Sequence, residues 1–330
     1  MNKKMTLRDA VAQFVRDGDQ LAIGGFTTNR KPFALVHEIL RQGRTGFIGQ
    51  GGPAGGDFDL LIGEGRLAAY VNSYTANSGF SNVSRRFRHA VQAGLLPCED
   101  YSLDVQVLLF SGAALGLPYV PVRAMLGSDL LAKWGISREQ RRAIGKLPDE
   151  KYILSENPFS QGEKLVLVPT PQLDLALLHV QMASPDGTCR IEGDPFHDID
   201  IAIAARRVIA SCETLVSDDE IRREPERNSI PGFAVDAVVH APYGAHPSQC
   251  YGHYDYDAAL YREYDEASRT DEGFRAYVEK WVYGPEDHAD YLDLVGASRL
   301  MDIKAVPGLG FAPAPTPTPV PTPTPRRELR

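Results

Sequence analysis

Short runs rich in Val, Ile and Leu recur along this chain between stretches with helical spacing, and that alternation limits the folds open to it more than any single motif does. TLRDAVAQFVRDGD predicts a helix with Leu7, Ala10, Val11, Phe14 and Val15 on its buried stripe. Thr6 caps that helix, Asp9 follows three places on, and Gly18 ends it. QLAIGGF then reads as a buried strand. A second helix is predicted from Pro32, with Leu35, Val36, Ile39 and Leu40 facing inward and Gly43 as its stop. The rhythm continues through the strands TGFIGQ and LAAYVNSY and the basic helix NVSRRFRHAVQAG. After these come the strands QVLLF, KLVLVP and DLALLHVQM, the helix DIAIAARRVIAS and the strand AVDAVVHAP. Strands interleaved with helices, with few hairpin signals, predict an α/β fold built on an open, mainly parallel sheet flanked by helices. In such sheets ligands bind beyond the carboxyl ends of the strands.

Two stretches break the rhythm. Residues 126–159, LGSDLLAKWGISREQRRAIGKLPDEKYILSENPF, are polar and irregular, which suits a lid, a partner surface or a decorated connection. From Pro313 to Pro325 every second residue is proline, which prevents helix and sheet pairing and favours extended polyproline II. Residues 312–330 are therefore expected to be a disordered tail behind a single domain spanning 1–311. The 43 acidic and 35 basic side chains leave a net charge of −8, which argues against broad nucleic-acid or anionic-membrane binding and leaves small molecules or proteins as partners. No segment approaches the ~18 unbroken apolar residues of a membrane span, and the N-terminal residues form an amphipathic helix in place of a signal peptide's apolar core. Cys98, Cys189, Cys212 and Cys250 have no CxxC spacing, so neither a disulfide framework nor a zinc knuckle is read, and a reducing cytoplasm fits best.

Gly24, Gly25 and Phe26 end a strand and feed a Pro-initiated helix, so their backbone is expected to present N–H groups and a helix N-terminus to the carboxyl edge, a setting for an anion or an oxyanion. A tight turn explains the two glycines equally simply. Gly49-Gln50-Gly51-Gly52-Pro53-Ala54 is a formal match to GxGxxG/A, but the next strand ends in NSYTANSG with no acid where a dinucleotide site needs one. Asn72, Ser73, Thr75, Asn77 and Ser78 in that stretch are either a cap for the following basic helix or a bank of hydrogen-bonding groups at the ligand edge. His246, Cys250 and His253 are spaced unlike a standard zinc site and read as part of a structural turn, so no metal is assigned. His179, beside an apolar run, reads as a satisfied core histidine.

Asp17-Gly18-x-x-Leu21-Ala22-Ile23-Gly24-Gly25-Phe26 followed by Pro32 resembles the first signature of the class I coenzyme A transferases, in their α half, with Arg30 standing where the general pattern has glycine. DLALLHVQMASPDGT and VVHAPYGAHPSQCYGHYDYD resemble the same half. GGFTTNRKP, GGPAGGDFDLLIG, YTANSG, VSRRFR, AALGLPYVPV and EIRREPERNSIPG are similar to its glutaconate-type branch, and the likeness runs from about Met5 to Phe311. The resemblance implies the α subunit of a heteromer that moves CoA between an acyl-CoA and a carboxylic or dicarboxylic acid, with the CoA thioester as substrate and no permanently bound cofactor. A glutamate supplied by the β subunit is what attacks the thioester, so no catalytic nucleophile is expected in this chain. By the same resemblance Ser78 orients that glutamate, Asn77 and Gly79 flank it, and Gly24, Gly25 and Phe26 edge the acyl pocket. Arg30 is read either as a cation for a dicarboxylate's free end or as a solvent-facing arginine. Ser155-Glu156-Asn157 imitates the family's SENG nucleophile signature, but Pro158 replaces its glycine, so Glu156 is expected to be a surface residue. Runner-up readings are a subunit of a related acyl-CoA hydrolase or decarboxylase, or a non-catalytic CoA-ester-binding subunit.

Overall fold

The computed structural model describes residues 2–313, so the Pro/Thr-rich tail expected to be disordered lies, from residue 314 on, outside the described residues. Strand β1 (Lys4–Met5) leads into α1 (Leu7–Phe14), whose first turn is capped as expected by the Thr6 side chain accepting the Asp9 N–H. Next come β2 (Gln20–Ile23), α2 (Phe33–Arg41), β3 (Phe47–Gln50), β4 (Pro53–Ala54), α3 (Gly56–Gly63), β5 (Leu67–Asn72) and β6 (Tyr74–Thr75). The basic helix α4 (Arg85–Gln92), β7 (Cys98–Asp100), α5 (Leu103–Ala114) and β8 (Tyr119–Val122) follow. The stretch expected to be irregular holds α6 (Asp129–Ala132), α7 (Arg138–Ile144) with a complete Ser137/Gln140 capping box, and β9 (Ile153–Glu156). The remaining strands are β10 (Lys164–Pro169), β11 (Leu175–Ala183), β12 (Cys189–Arg190), β13 (Val208–Leu215) and β14 (Ala237–His240). They enclose α8 (Asp198–Ala204) and α9 (Asp218–Ile221), and the chain closes with α10 (Ala258–Ala267), α11 (Asp271–Val278), α12 (His288–Val295) and α13 (Ala297–Asp302).

Among the described residues, eight strands lie parallel in the order β1-β14-β13-β11-β2-β3-β5-β7, with β12 antiparallel on β11. Period-2 geometry divides their apolar residues between two cores. Leu21, Ile23, Leu175, Leu177, Ile209 and Val239 face α1 to α3 and the C-terminal helices. Ala22, Ala176, Leu178, Val180, Ala210 and Val238 face Phe110 of α5 and Ile201 of α8. A sheet covered on both faces is why these strands read as continuous apolar runs. No helix among the described residues is long and apolar enough to cross a membrane.

Three expectations are corrected. QVLLF is not a strand but the middle of α5, whose buried positions Val105, Gln106, Leu109 and Phe110 recur at helical spacing; a short apolar run does not distinguish the two states by itself. The helix expected through Ser211 ends at Ala204, and Val208 onward is β13, because the Arg206-Arg207 turn releases a β-branched segment into the sheet. KLVLVP does form a strand, β10, but in a separate antiparallel sheet ordered β8-β10-β9. That small sheet and the 126–151 segment are pinned to the body by Glu99, fully buried between Lys151 at 2.8 Å and Arg141 at 2.5 Å.

Candidate active site

β2, β3 and β5 are neighbours, so the loops leaving their carboxyl ends meet. Residues 24–30 follow β2, residues 51–55 follow β3, and residues 73–79 follow β5. Parallel pairing of β4 with β6 joins the second and third loops, Ala76 N–H donates to the Ala54 carbonyl at 3.0 Å, and Thr27 N–H donates to the Pro53 carbonyl at 2.8 Å. Gly55 lies where all three converge: a Cβ there would stand 2.5 Å from the Thr27 carbonyl and 3.0 Å from Asn77 Oδ1. Only glycine fits.

The glycines of the formal GxGxxG match do different work. A Cβ on Gly49 would stand 2.7 Å from Tyr70 Cδ2, and one on Gly51 2.2 Å from Tyr70 Oη. Their bare backbone accommodates a core tyrosine, and the space a pyrophosphate would need is filled.

At Gly24 and Gly25 the expectation of free N–H groups is corrected. Gly24 N–H donates to the Leu177 carbonyl at 2.9 Å, Gly25 N–H to Asp198 Oδ1 at 2.6 Å and Phe26 N–H to the Asn29 carbonyl at 2.8 Å. The start of α2 is occupied too, with Lys31 N–H on Ser248 Oγ and Ala34 N–H on the Gly244 carbonyl. The glycines are there for close approach and backbone angle. A Cβ on Gly24 would stand 2.7 Å from Leu178 Cδ2, and Gly25 has φ +74°.

Asn77, Ser78 and Gly79 form the tip of the third loop. Asn77 is buried at 3% exposure, and its Oδ1 has no hydrogen-bond partner. Ser78 is half-buried with its Oγ 3.4 Å from the Tyr74 hydroxyl, while Gly79 is exposed at φ +87° with open space where a Cβ would project. The capping alternative for this stretch is corrected as well. Ser84 is the N-cap of α4 and makes no side-chain cap bond. The free N–H groups of that helix are met instead by Asp59 of α3, which accepts from Phe87 N–H at 2.7 Å and Arg86 N–H at 3.4 Å. Burial pushes Asp59 up to about 6, against those bonds and one from the Tyr264 hydroxyl.

A fourth segment, which sequence reasoning missed, closes on the first loop. Asp194, Phe196, His197 and Asp198 precede and open α8. Phe196 stacks on Phe26 with ring centroids 5.0 Å apart. His197 Nε2–H donates to the Ile23 carbonyl at 3.2 Å, its ring stacks on Phe110, its Nδ1 has no partner, and burial pushes its pKa down to about 4. Arg30 reaches the same segment, pairing with Asp198 Oδ2 at 2.6 Å while only 2% exposed, so the solvent-facing alternative is removed. Lys31 and Asp57 form a second buried pair at 3.2 Å. A run such as DPFHD between two predicted elements carried a turn signal and nothing more.

Glu156 is not brought to these loops. It is exposed, ends β9 and pairs in register with Lys164 on the small sheet. His246, Cys250 and His253 do not converge either. His246 bonds to the Tyr291 hydroxyl at 2.7 Å and Asp257 Oδ2 at 3.1 Å. Cys250 lies by His179 and Glu213, all ligand atoms within 4.8 Å, but there His179 Nε2 is 2.6 Å from Glu213, which also accepts from the Tyr254 hydroxyl at 2.5 Å and Tyr243 N–H at 2.8 Å. Burial alone raises the Glu213 pKa, and these bonds more than offset it, leaving the carboxylate below its usual range. Its oxygens are thus taken by protein donors, and His179 is a satisfied core residue, as its apolar setting predicted.

The coenzyme A transferase family profile matches residues 4–241, from β1 to just past β14. The chain belongs to the coenzyme A transferase family. It is 57% identical over 311 residues to the A subunit of glutaconate CoA-transferase from Acidaminococcus fermentans, covering 94% of this chain and 97% of that one. It is 32% identical over 295 residues to the A subunit of 3-oxoadipate CoA-transferase from Pseudomonas knackmussii, covering 88% and 97%. The crystal structure of the Acidaminococcus fermentans glutaconate coenzyme A-transferase superposes with a TM-score of 0.93, covering 94% of this chain and 98% of that one. An alignment of 311 residues necessarily runs past the family profile into the C-terminal helices, so this transferase-family chain shares its α10 to α13 region with that relative.

Proposed function

We propose that this chain is the α subunit of a heteromeric CoA-transferase that exchanges CoA between an acyl-CoA and a dicarboxylate, glutaconate or a close analogue, in the cytoplasm. Similarity to the A subunits of two transferases supports the chemistry, and the 57% identity favours the glutaconate type. Four unpaired cysteines suit a reducing compartment.

One observation carries the division of labour. The three loops converge at the carboxyl edge with a half-buried hydroxyl at Ser78, and two carboxylates packed against them, Asp57 and Asp198, are fully buried in ion pairs. Neither is a free nucleophile, and Glu156 belongs to another sheet. Both facts fit what the resemblance to the class I coenzyme A transferases implies, that the attacking glutamate is supplied by the partner subunit. Its carboxylate adds to the thioester carbonyl, the C–S bond breaks, and an acyl-glutamyl anhydride and CoA thiolate result. The thiolate then adds to the glutamyl carbonyl and releases the carboxylate product. The acceptor carboxylate repeats the sequence in reverse, taking CoA and restoring the glutamate. Ser78 Oγ–H donates to the attacking carboxylate and orients it; Asn77 and Gly79 flank Ser78; Gly24, Gly25 and Phe26 edge the acyl pocket.

Purified alone, this chain is expected to catalyse no acyl exchange. With its β partner, exchange should appear with ping-pong kinetics. Borohydride reduction of the complex during turnover, followed by peptide mass spectrometry, should locate the trapped glutamyl thioester on the partner. A label on Glu156, or on any other residue of this chain, overturns the proposal.

A further inference from the structure

Loop 24–30 is built in a conformation that most side chains resist. Gly25, Thr27 and Arg30 have φ of +74°, +46° and +47°, and Phe196 on the facing segment has +50°. Non-glycine residues persist in the left-handed region only where their surroundings over-determine them.

Here a single carboxylate does much of that. Asp198, fully buried, accepts the Gly25 N–H on Oδ1 at 2.6 Å and the Arg30 guanidinium on Oδ2 at 2.6 Å. The same guanidinium donates to the His179 carbonyl at 3.1 Å and the Asp194 carbonyl at 2.9 Å, and lies 5.5 Å from the centroid of the Phe196 ring that stacks on Phe26. A closed circuit thus joins both ends of loop 24–30 to the start of α8. Each buried charge neutralises the other, as burial requires. A guanidinium so occupied has little left for a substrate carboxylate. Glycine would meet the +47° at position 30 freely, and arginine meets it by bringing a side chain back to Asp198.

We propose that Asp198 and Arg30 are a positioning clamp that sets the Gly24-Gly25-Phe26 edge of the acyl pocket, and that Arg30 is not the receptor for the second carboxylate of the acceptor. The assignment rests on the reading of that edge as an acyl-pocket wall. It makes both residues positioning residues, acting through the loop.

Two measurements test it. In the assembled complex, Arg30→Gly and Asp198→Asn should each lower kcat about tenfold or more with both a dicarboxylate and acetate as acceptor. The ratio of the two KM values should hold within about twofold, and the double variant should be no slower than the worse single one, since both break one circuit. Arg30→Lys, which keeps the charge, should recover part of the loss. In the chain alone, hydrogen exchange at the Gly25 amide should accelerate by about a hundredfold in Asp198→Asn, with β11 and β13 amides unchanged. A rise in KM for the dicarboxylate alone in Arg30→Gly would make Arg30 the receptor. Unchanged kcat in the assembled variants, or an unchanged Gly25 amide, would remove the clamp. Should a single variant fail to assemble, Arg30→Lys and the exchange measurement still decide. Should the unmodified complex show no acyl exchange, the functional reading falls, while the Gly25 amide still reports on the clamp.

Discussion

Ser78→Ala separates chemistry from folding more cleanly than other substitutions at this edge. The hydroxyl contacts the Tyr74 hydroxyl at 3.4 Å in an exposed setting, long for an O–H···O bond. Its removal should therefore change stability by no more than about 0.5 kcal/mol, as for most surface substitutions. If the hydroxyl orients the partner's attacking carboxylate, a hydrogen bond to a charged group worth about 1.5–3 kcal/mol is lost from the reacting state. At about 1.36 kcal/mol per factor of ten, kcat should fall about 10- to 150-fold. The assay is steady-state acyl exchange in the assembled complex, with the rate at which the borohydride-trappable thioester accumulates as a second reading. Urea midpoint and assembly should match the unsubstituted complex. Ser78→Thr, which restores a hydroxyl, should recover most of the rate. An unchanged kcat in an intact complex refutes the reasoning, because the hydroxyl has no structural duty within this chain to account for its position.

Glu156→Gln should leave turnover intact and shift stability by less than about 0.5 kcal/mol, since the side chain is exposed on the small sheet; loss of turnover by orders of magnitude would reassign the nucleophile to this chain. Acid should weaken the fold between pH 6.5 and 4. Burial holds His197 neutral down to about 4, so across that window the unfolded chain takes a proton that the folded chain refuses, and by pH 4 stability falls by about 3 kcal/mol from this group. His37 and His246 are held below 6.5 by burial in the same sense, while Asp59, raised to about 6, takes up a proton on folding and opposes them. Urea midpoints at pH 7, 5.5 and 4 should show a shallower decline in His197→Gln than in the unsubstituted chain, and identical slopes would contradict the assignment.

Local pattern by itself determined most of the architecture. The helix at Leu7 to Phe14, the strand at Gln20 to Ile23 and the helix after Pro32 follow from caps, glycines and apolar spacing within a dozen residues. The two-sided apolar runs of β11 and β14 were likewise enough to predict a buried parallel sheet with a ligand-binding carboxyl edge, whereas the strand order that gathers the loops after β2, β3 and β5 came from the structure. Where a run was short and apolar, as at Val105 to Phe110, local pattern fitted helix and strand equally, and packing against α8 and β8 made the choice.

Partners distant in sequence were decided by the tertiary structure alone. Nothing near Gly25 indicates that its N–H is met by Asp198, 173 residues on, or that the N–H groups of α4 are met by Asp59. Nothing near Arg30 indicates that its charge is spent inside the fold. Glycine clusters signal bare backbone, but whether that backbone faces a ligand or a neighbouring side chain depends on what the fold carries past it: Leu178 at Gly24, Tyr70 at Gly49 and Gly51. Secondary structure is settled by interactions a few residues apart, which sequence pattern encodes directly. Polar satisfaction and close packing are settled across the sheet, where the partner's identity is set by topology.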